Sequence, residues 1–117
     1  MRILTLATTA LLAFMVSTAA QAHAFLDHAE PRVGSTTPSA PKVVVLFFSQ
    51  NLEPAFSSVE VSDAKGARVD QGKPEVSTTT MRVSLKPLPP GTYSVRWHVL
   101  STDTHTTEGK FSFHVGP

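Results

Sequence analysis

The sequence predicts an all-β domain, an immunoglobulin-like Greek-key sandwich or barrel of about seven strands. Two observations carry this expectation: short segments in which apolar and polar residues alternate, and turn-forming residues spaced between them. A third excludes the alternatives. After the N-terminal leader there is no stretch of ten or more residues with helical periodicity, no internal repeat and no low-complexity tract.

Each element can be justified in order. Lys42 to Phe48, "KVVVLFF", is the apolar run of a buried strand. Ser57 to Asp63, "SSVEVSD", alternates, with Val59 and Val61 on one face, and Ala64 to Gly66 turns the chain. Thr80 to Leu85 alternates through Met81, Val83 and Leu85. Lys86 to Gly91, "KPLPPG", is a proline-rich turn that neither a helix nor a central strand tolerates. Thr92 to Val99 places Tyr93, Val95, Trp97 and Val99 on one face, and Lys110 to Val115 points Phe111, Phe113 and Val115 inward. The period-two spacing of Tyr93, Trp97, Phe111 and Phe113 makes them core rather than an aromatic ligand box.

The chain of 117 residues opens on Arg2 and an uncharged, mostly apolar run, Ile3 to Val16, followed by small residues ending in Ala20-Gln21-Ala22. This is the pattern of a cleaved secretory signal over residues 1–22, and the apolar run is shorter than the ~20 residues that span a bilayer. The mature domain is then residues 23–117, one small domain with a single core. Arg2 is the one charge removed, so nine Lys+Arg balance nine Asp+Glu. A balanced charge argues against nucleic acid or an anionic membrane surface as partner, and the mature chain is not expected to insert into a membrane. With no cysteine, neither a disulfide scaffold nor a thiolate metal site is possible. An export signal points to the periplasm.

Polar exceptions carry the functional argument. Leu100 to Phe111, "LSTDTHTTEGKF", joins the last two strands, and within it Asp103 and His105 stand two residues apart. In an extended segment they project to the same side. Cleavage after Ala22 makes His23 the first residue, offering the α-amine and ring Nδ1 as a chelating pair. With the His105 imidazole and an Asp103 oxygen, the set is three nitrogens and one oxygen. In a tetragonal plane that set suits Cu(II), then Ni(II), with Zn(II) less comfortable. Cleavage after Ala20 would instead leave His23 third from a free amine, a self-sufficient Cu(II)/Ni(II) site that needs neither Asp103 nor His105.

The segments "HAFLDHAEPRVGS", "VVVLFFSQNLEP" and "LPPGTYSVRWHVLSTDTHTTEGKFSFHV" resemble the CopC family of periplasmic copper-binding proteins of copper resistance and homeostasis. The resemblance covers residues 23–117, and its S-x-D-x-H-x-x-x-G-x-F-x-F block is the most specific part. It implies an immunoglobulin-like β-sandwich or barrel, Cu(II) bound by His23, Asp103 and His105, no enzymatic activity, and a CopD-like inner-membrane protein as partner. Two departures qualify it. Met81 is the one methionine left after the leader and lies on an apolar strand face, so the chain reads as a Cu(II)-only member. Gln50 stands where many relatives carry Glu near the copper. A neutral amide there can still hydrogen-bond a ligand or water beside the metal, but it removes a charge that attracts the cation.

The remaining histidines take ordinary roles. His98 and His114 alternate outward on strands, and His28 matches no ligand position. Glu108 and Lys110 read as solvated loop charges. Two other classes of function stand beside copper binding: a copper monooxygenase-like enzyme with an N-terminal histidine brace, and a metal-free structural or adhesive sandwich. An equatorial Asp103 and the small size of the domain argue against the first. The constellation of His23, Asp103 and His105 argues against the second.

Overall fold

The computed structural model of the chain describes residues 25–117. The expected signal, residues 1–22, and His23 lie outside the described residues. The described residues form eight strands: β1 (Leu26–Glu30), β2 (Thr36–Thr37), β3 (Val43–Phe48), β4 (Ser58–Ser62), β5 (Asp70–Ser77), β6 (Thr80–Leu85), β7 (Gly91–Leu100) and β8 (Thr106–Val115). A 3-10 turn, Pro54–Phe56, lies between β3 and β4. The strands make two four-stranded sheets, ordered β1-β3-β6-β5 and β2-β8-β7-β4, and the fold is the expected β-sandwich.

The core between the sheets is the one the alternation predicts. Val59, Val61, Met81, Val83, Leu85, Tyr93, Val95, Trp97, Val99, Phe111, Phe113 and Val115 are all buried. Burial of each large apolar side chain contributes about 1.5–3 kcal/mol relative to exposure. On β3 the run "VVVLFF" is buried on one face only: Val44, Leu46 and Phe48 point inward, while Val43, Val45 and Phe47 are half-buried on the outer face. An antiparallel sheet leaves one face to solvent. His28, opposite Phe47, stacks its ring on the phenyl at 4.2 Å.

The strands number eight, where about seven were expected, and the connection before the last strand is shorter than expected. β8 begins at Thr106, so Glu108 and Lys110 are exposed strand residues opposite His98 and Arg96 rather than loop charges. Two packing details hold the sheets in place. Where the chain crosses from β4 to β5, the Asp70 carboxylate accepts from Val61 N at 2.8 Å and from Arg68 Nε and Nη2 at 2.9 Å each. On the other sheet Trp97 lies over Gly109, its register partner, where a Cβ would sit 2.6 Å from the indole Cζ2. The same indole meets the Phe48 ring edge-on at 5.2 Å.

One end of the sandwich is sewn together by the segment after β3. Phe48 N donates to Thr79 O and Leu52 N to Thr78 O, at the β5–β6 turn of one sheet. Glu53 N donates to Leu100 O, and Asn51 O accepts from Thr102 N, at the β7–β8 turn of the other. Leu52, buried, pairs with Ser101 as an isolated bridge. Ser49 exchanges hydrogen bonds with the backbone of Phe25, its N–H reaching Phe25 O and its hydroxyl taking Phe25 N, both at 3.0 Å. Phe25, residues 49–53 and the β7–β8 turn therefore share one end of the molecule.

Candidate metal centre

The β7–β8 turn is a three-residue loop, Thr102-Asp103-Thr104, closed by Ser101 N donating to His105 O and Thr104 N donating to Ser101 O, each at 2.9 Å. Thr104 takes a left-handed backbone, φ 72°. Short hairpin loops of this kind need one such residue, usually glycine or asparagine. A β-branched threonine there stores backbone strain of order 1–3 kcal/mol.

That turn brings Asp103 and His105 together, by a route the sequence did not predict. The two residues are not on one side of an extended segment; the left-handed Thr104 folds the chain between them. His105 Nδ1 lies 3.3 Å from Asp103 Oδ1, and both side chains are open to solvent. Beneath them the buried Ser101 hydroxyl donates to the same Asp103 Oδ1, and its oxygen lies 3.2 Å from His105 O. The Ser101 hydroxyl, and after it the His105 imidazole, hold the Asp103 carboxyl below its ordinary range. The carboxylate is thus ionised and ready to accept a cation at any pH near neutrality.

The pair passes a simple test of fit. Two ligand atoms at about 2.0–2.1 Å from a metal stand about 2.8–3.4 Å apart for angles between square-planar and tetrahedral. The observed 3.3 Å between nitrogen and oxygen falls within that range. One imidazole and one carboxylate do not complete a site, and among the described residues no group of three or more His, Asp or Glu is close enough to hold a metal. A further donor has to come from elsewhere, and His23 lies outside the described residues, two positions before Phe25. Gln50, half-buried, stands between Ser49, which holds Phe25, and Asn51, which holds Thr102.

The other histidines are engaged elsewhere. His114 Nδ1 meets Thr92 Oγ1 at 2.9 Å, His28 stacks on Phe47 with its Nδ1 3.3 Å from Asp27 Oδ2, and His98 is exposed opposite Glu108. Met81 is fully buried in the core. Sequence reasoning missed Ser101 and the backbone of Asn51. Ser101 stands in the S-x-D-x-H pattern, but no pattern signals that this serine, next to an exposed loop, is buried.

Residues 26–116 match the family model described as the CopC domain. Copper resistance protein C of Xanthomonas campestris pv. juglandis is 34% identical, over 94% of each chain. Copper transport protein CutJ of Bacillus subtilis is 33% identical over 81% of this chain but only 18% of its own length. Among solved structures, CopC from Methylosinus trichosporium OB3b superposes with a TM-score of 0.76 at 34% identity, covering 81% of this chain and 95% of the other. These names denote copper resistance and transport rather than catalysis, in line with the non-enzymatic expectation from the sequence. The chain belongs to the CopC family.

Proposed function

We propose that the protein binds one Cu(II) ion through His23, Asp103 and His105 in the periplasm, after removal of residues 1–22, and buffers it or passes it to a CopD-like inner-membrane partner. The observation that carries this reading is the sewn end of the sandwich. Phe25 is tied to Ser49, and two residues on, Asn51 is tied to Thr102 beside Asp103. His23 precedes Phe25 by two residues, about 7 Å of extended chain at most, so it enters from the end of the molecule that carries the Asp103–His105 pair. Its α-amine and ring nitrogen then supply the donors that the pair lacks.

The chemistry favours the oxidised ion. Imidazole, amine and carboxylate suit Cu(II), and the soft ligands that Cu(I) prefers are missing: there is no cysteine, and Met81 is packed in the core. In this reading Gln50 hydrogen-bonds a ligand or water beside the metal rather than binding it. Transfer of copper to a partner is in keeping with the matching segment in CutJ, a minor part of a longer protein named for copper transport. Among the described residues no helix is long and apolar enough to cross a membrane.

A Cu(II) titration of the exported protein, followed by electron paramagnetic resonance and optical spectroscopy, tests this. One equivalent should bind, with a tetragonal, nitrogen-rich signal and no charge-transfer band from sulfur. Equal, tight binding of two ions would contradict it, as would ascorbate-driven peroxide production at rates typical of a copper monooxygenase.

A further inference from the structure

Among the described residues the buried polar residues are Ser57 and Ser101. The hydroxyl of Ser57 is occupied by backbone alone, donating to Glu53 O and accepting from Leu100 N. The hydroxyl of Ser101 reaches a side chain as well, Asp103 Oδ1, with the backbone carbonyl of His105 beside it at 3.2 Å. A hydroxyl bond to an ionised carboxylate is stronger than one to a neutral carbonyl, so the Asp103 contact is preferred over the one to His105 O. Ser101 is also rigidly placed, because its N–H and carbonyl close the turn and Leu52 bridges to it from the other side. Asp103, by contrast, sits on an exposed loop whose side chain would otherwise sample several rotamers.

A carboxylate oxygen has two lone-pair directions. On Oδ1 one is taken by Ser101, and His105 Nδ1 stands 3.3 Å from the same atom. We propose that Ser101 is a positioning residue of the copper centre: its buried hydroxyl fixes Asp103 Oδ1 against His105 Nδ1 at ligand spacing before the ion arrives. The inference rests on the reading of Asp103 and His105 as copper ligands and deepens it. Preorganisation of this kind lowers the ordering cost of binding, and loss of such supporting partners typically weakens a metal site 10- to 100-fold.

A double-mutant cycle on the exported protein tests it, with Cu(II) affinity read by competition against a chelator. Ser101→Ala should weaken binding about 10-fold or more. In an Asp103→Ala background the same change should cost less than about twofold, because no carboxylate remains to be positioned. The Cu(II) paramagnetic resonance parameters should shift in the single Ser101 variant, a change that a loss of stability alone would not produce. Ser101→Thr, which keeps a hydroxyl at that atom, should retain affinity within about threefold. An equal loss from Ser101→Ala in both backgrounds would make the serine merely structural and overturn the inference. So would no loss in the wild-type background, or a loss in Ser101→Thr equal to that in Ser101→Ala. If Asp103→Ala alone left affinity unchanged, the ligand assignment itself would fall, a result distinct from the others.

Discussion

The carbonyl of Asn51 accepts a hydrogen bond from Thr102 N at 2.9 Å, and through it the chain leaving β3 in one sheet holds the turn that carries Asp103 in the other. Two residues earlier the same segment holds Phe25 through Ser49. These are backbone contacts or contacts of a small hydroxyl, so they define position without depending on a large side chain. A sandwich is rigid along its strands and variable at its ends. Here one end is stiffened by crossing bonds between the sheets, a scaffold suited to holding ligands from different parts of the chain.

The contact of Trp97 with Gly109 predicts a specific intolerance. Gly109 has no positive φ to explain it, and the constraint is steric, a Cβ falling 2.6 Å from the indole. Gly109→Ala should destabilise the fold by about 1–3 kcal/mol through displacement of Trp97. Urea unfolding monitored by tryptophan fluorescence measures this, and a change below about 0.5 kcal/mol would contradict it.

Asp70 predicts an acid-sensitive stability. Burial pushes its carboxyl up, but the Arg68 guanidinium and the Val61 N–H outweigh it and hold the carboxyl below its ordinary value of 3.8. A group whose pKa is depressed in the folded state adds stability above its unfolded pKa, and that stability is lost as pH falls through the folded one. The wild-type melting temperature should therefore drop as pH falls below about 4. Asp70→Asn should cost about 1.5–3 kcal/mol near neutrality and reduce the acid-dependent part of the loss. An unchanged pH profile in the variant would remove Asp70 from that role.

How much of this was legible in the sequence depended on where each strand lies. β3, β6, β7 and the second half of β8 are paired on both sides, bury one face, and announced themselves by alternation or by an apolar run. β5 was hidden: Gly72 and Pro74 interrupt "DQGKPEVS", and it lies at a sheet edge, where proline removes no needed hydrogen bond. β1 is also an edge strand, with a register shift between Leu26 and His28, and β2 has two residues. These edge strands bury less and need less pattern, whereas β4, also at an edge, was legible because Val59 and Val61 both reach the core. At the site, the pairing of Asp103 with His105 was legible as types and spacing. Its means was not, because nothing in Thr104 itself declares a left-handed backbone.

Copper affinity should depend on acidity through nitrogen rather than oxygen. The Asp103 carboxyl is held below its ordinary range, so it stays ionised through the mildly acidic region and adds no proton competition there. Every imidazole or amine nitrogen must lose its proton to bind a metal, so protons compete with copper at each nitrogen. Affinity should fall with pH below neutrality by more than a one-proton slope. His105→Ala should weaken binding and flatten that slope. A pH-independent affinity between mildly acidic and neutral conditions would contradict the nitrogen-rich set.

In the proposed site His23 is the first residue of the working protein and completes the ligand set with Asp103 and His105. Chelator competition on the processed protein carrying one extra glycine before His23 measures this directly. The glycine moves the amine out of the chelate ring while leaving every side chain in place. A severe loss of Cu(II) affinity is expected, comparable to the loss in Asp103→Ala. Affinity that survived both the extension and Asp103→Ala would contradict it, and would point to a copper site that does not use this turn.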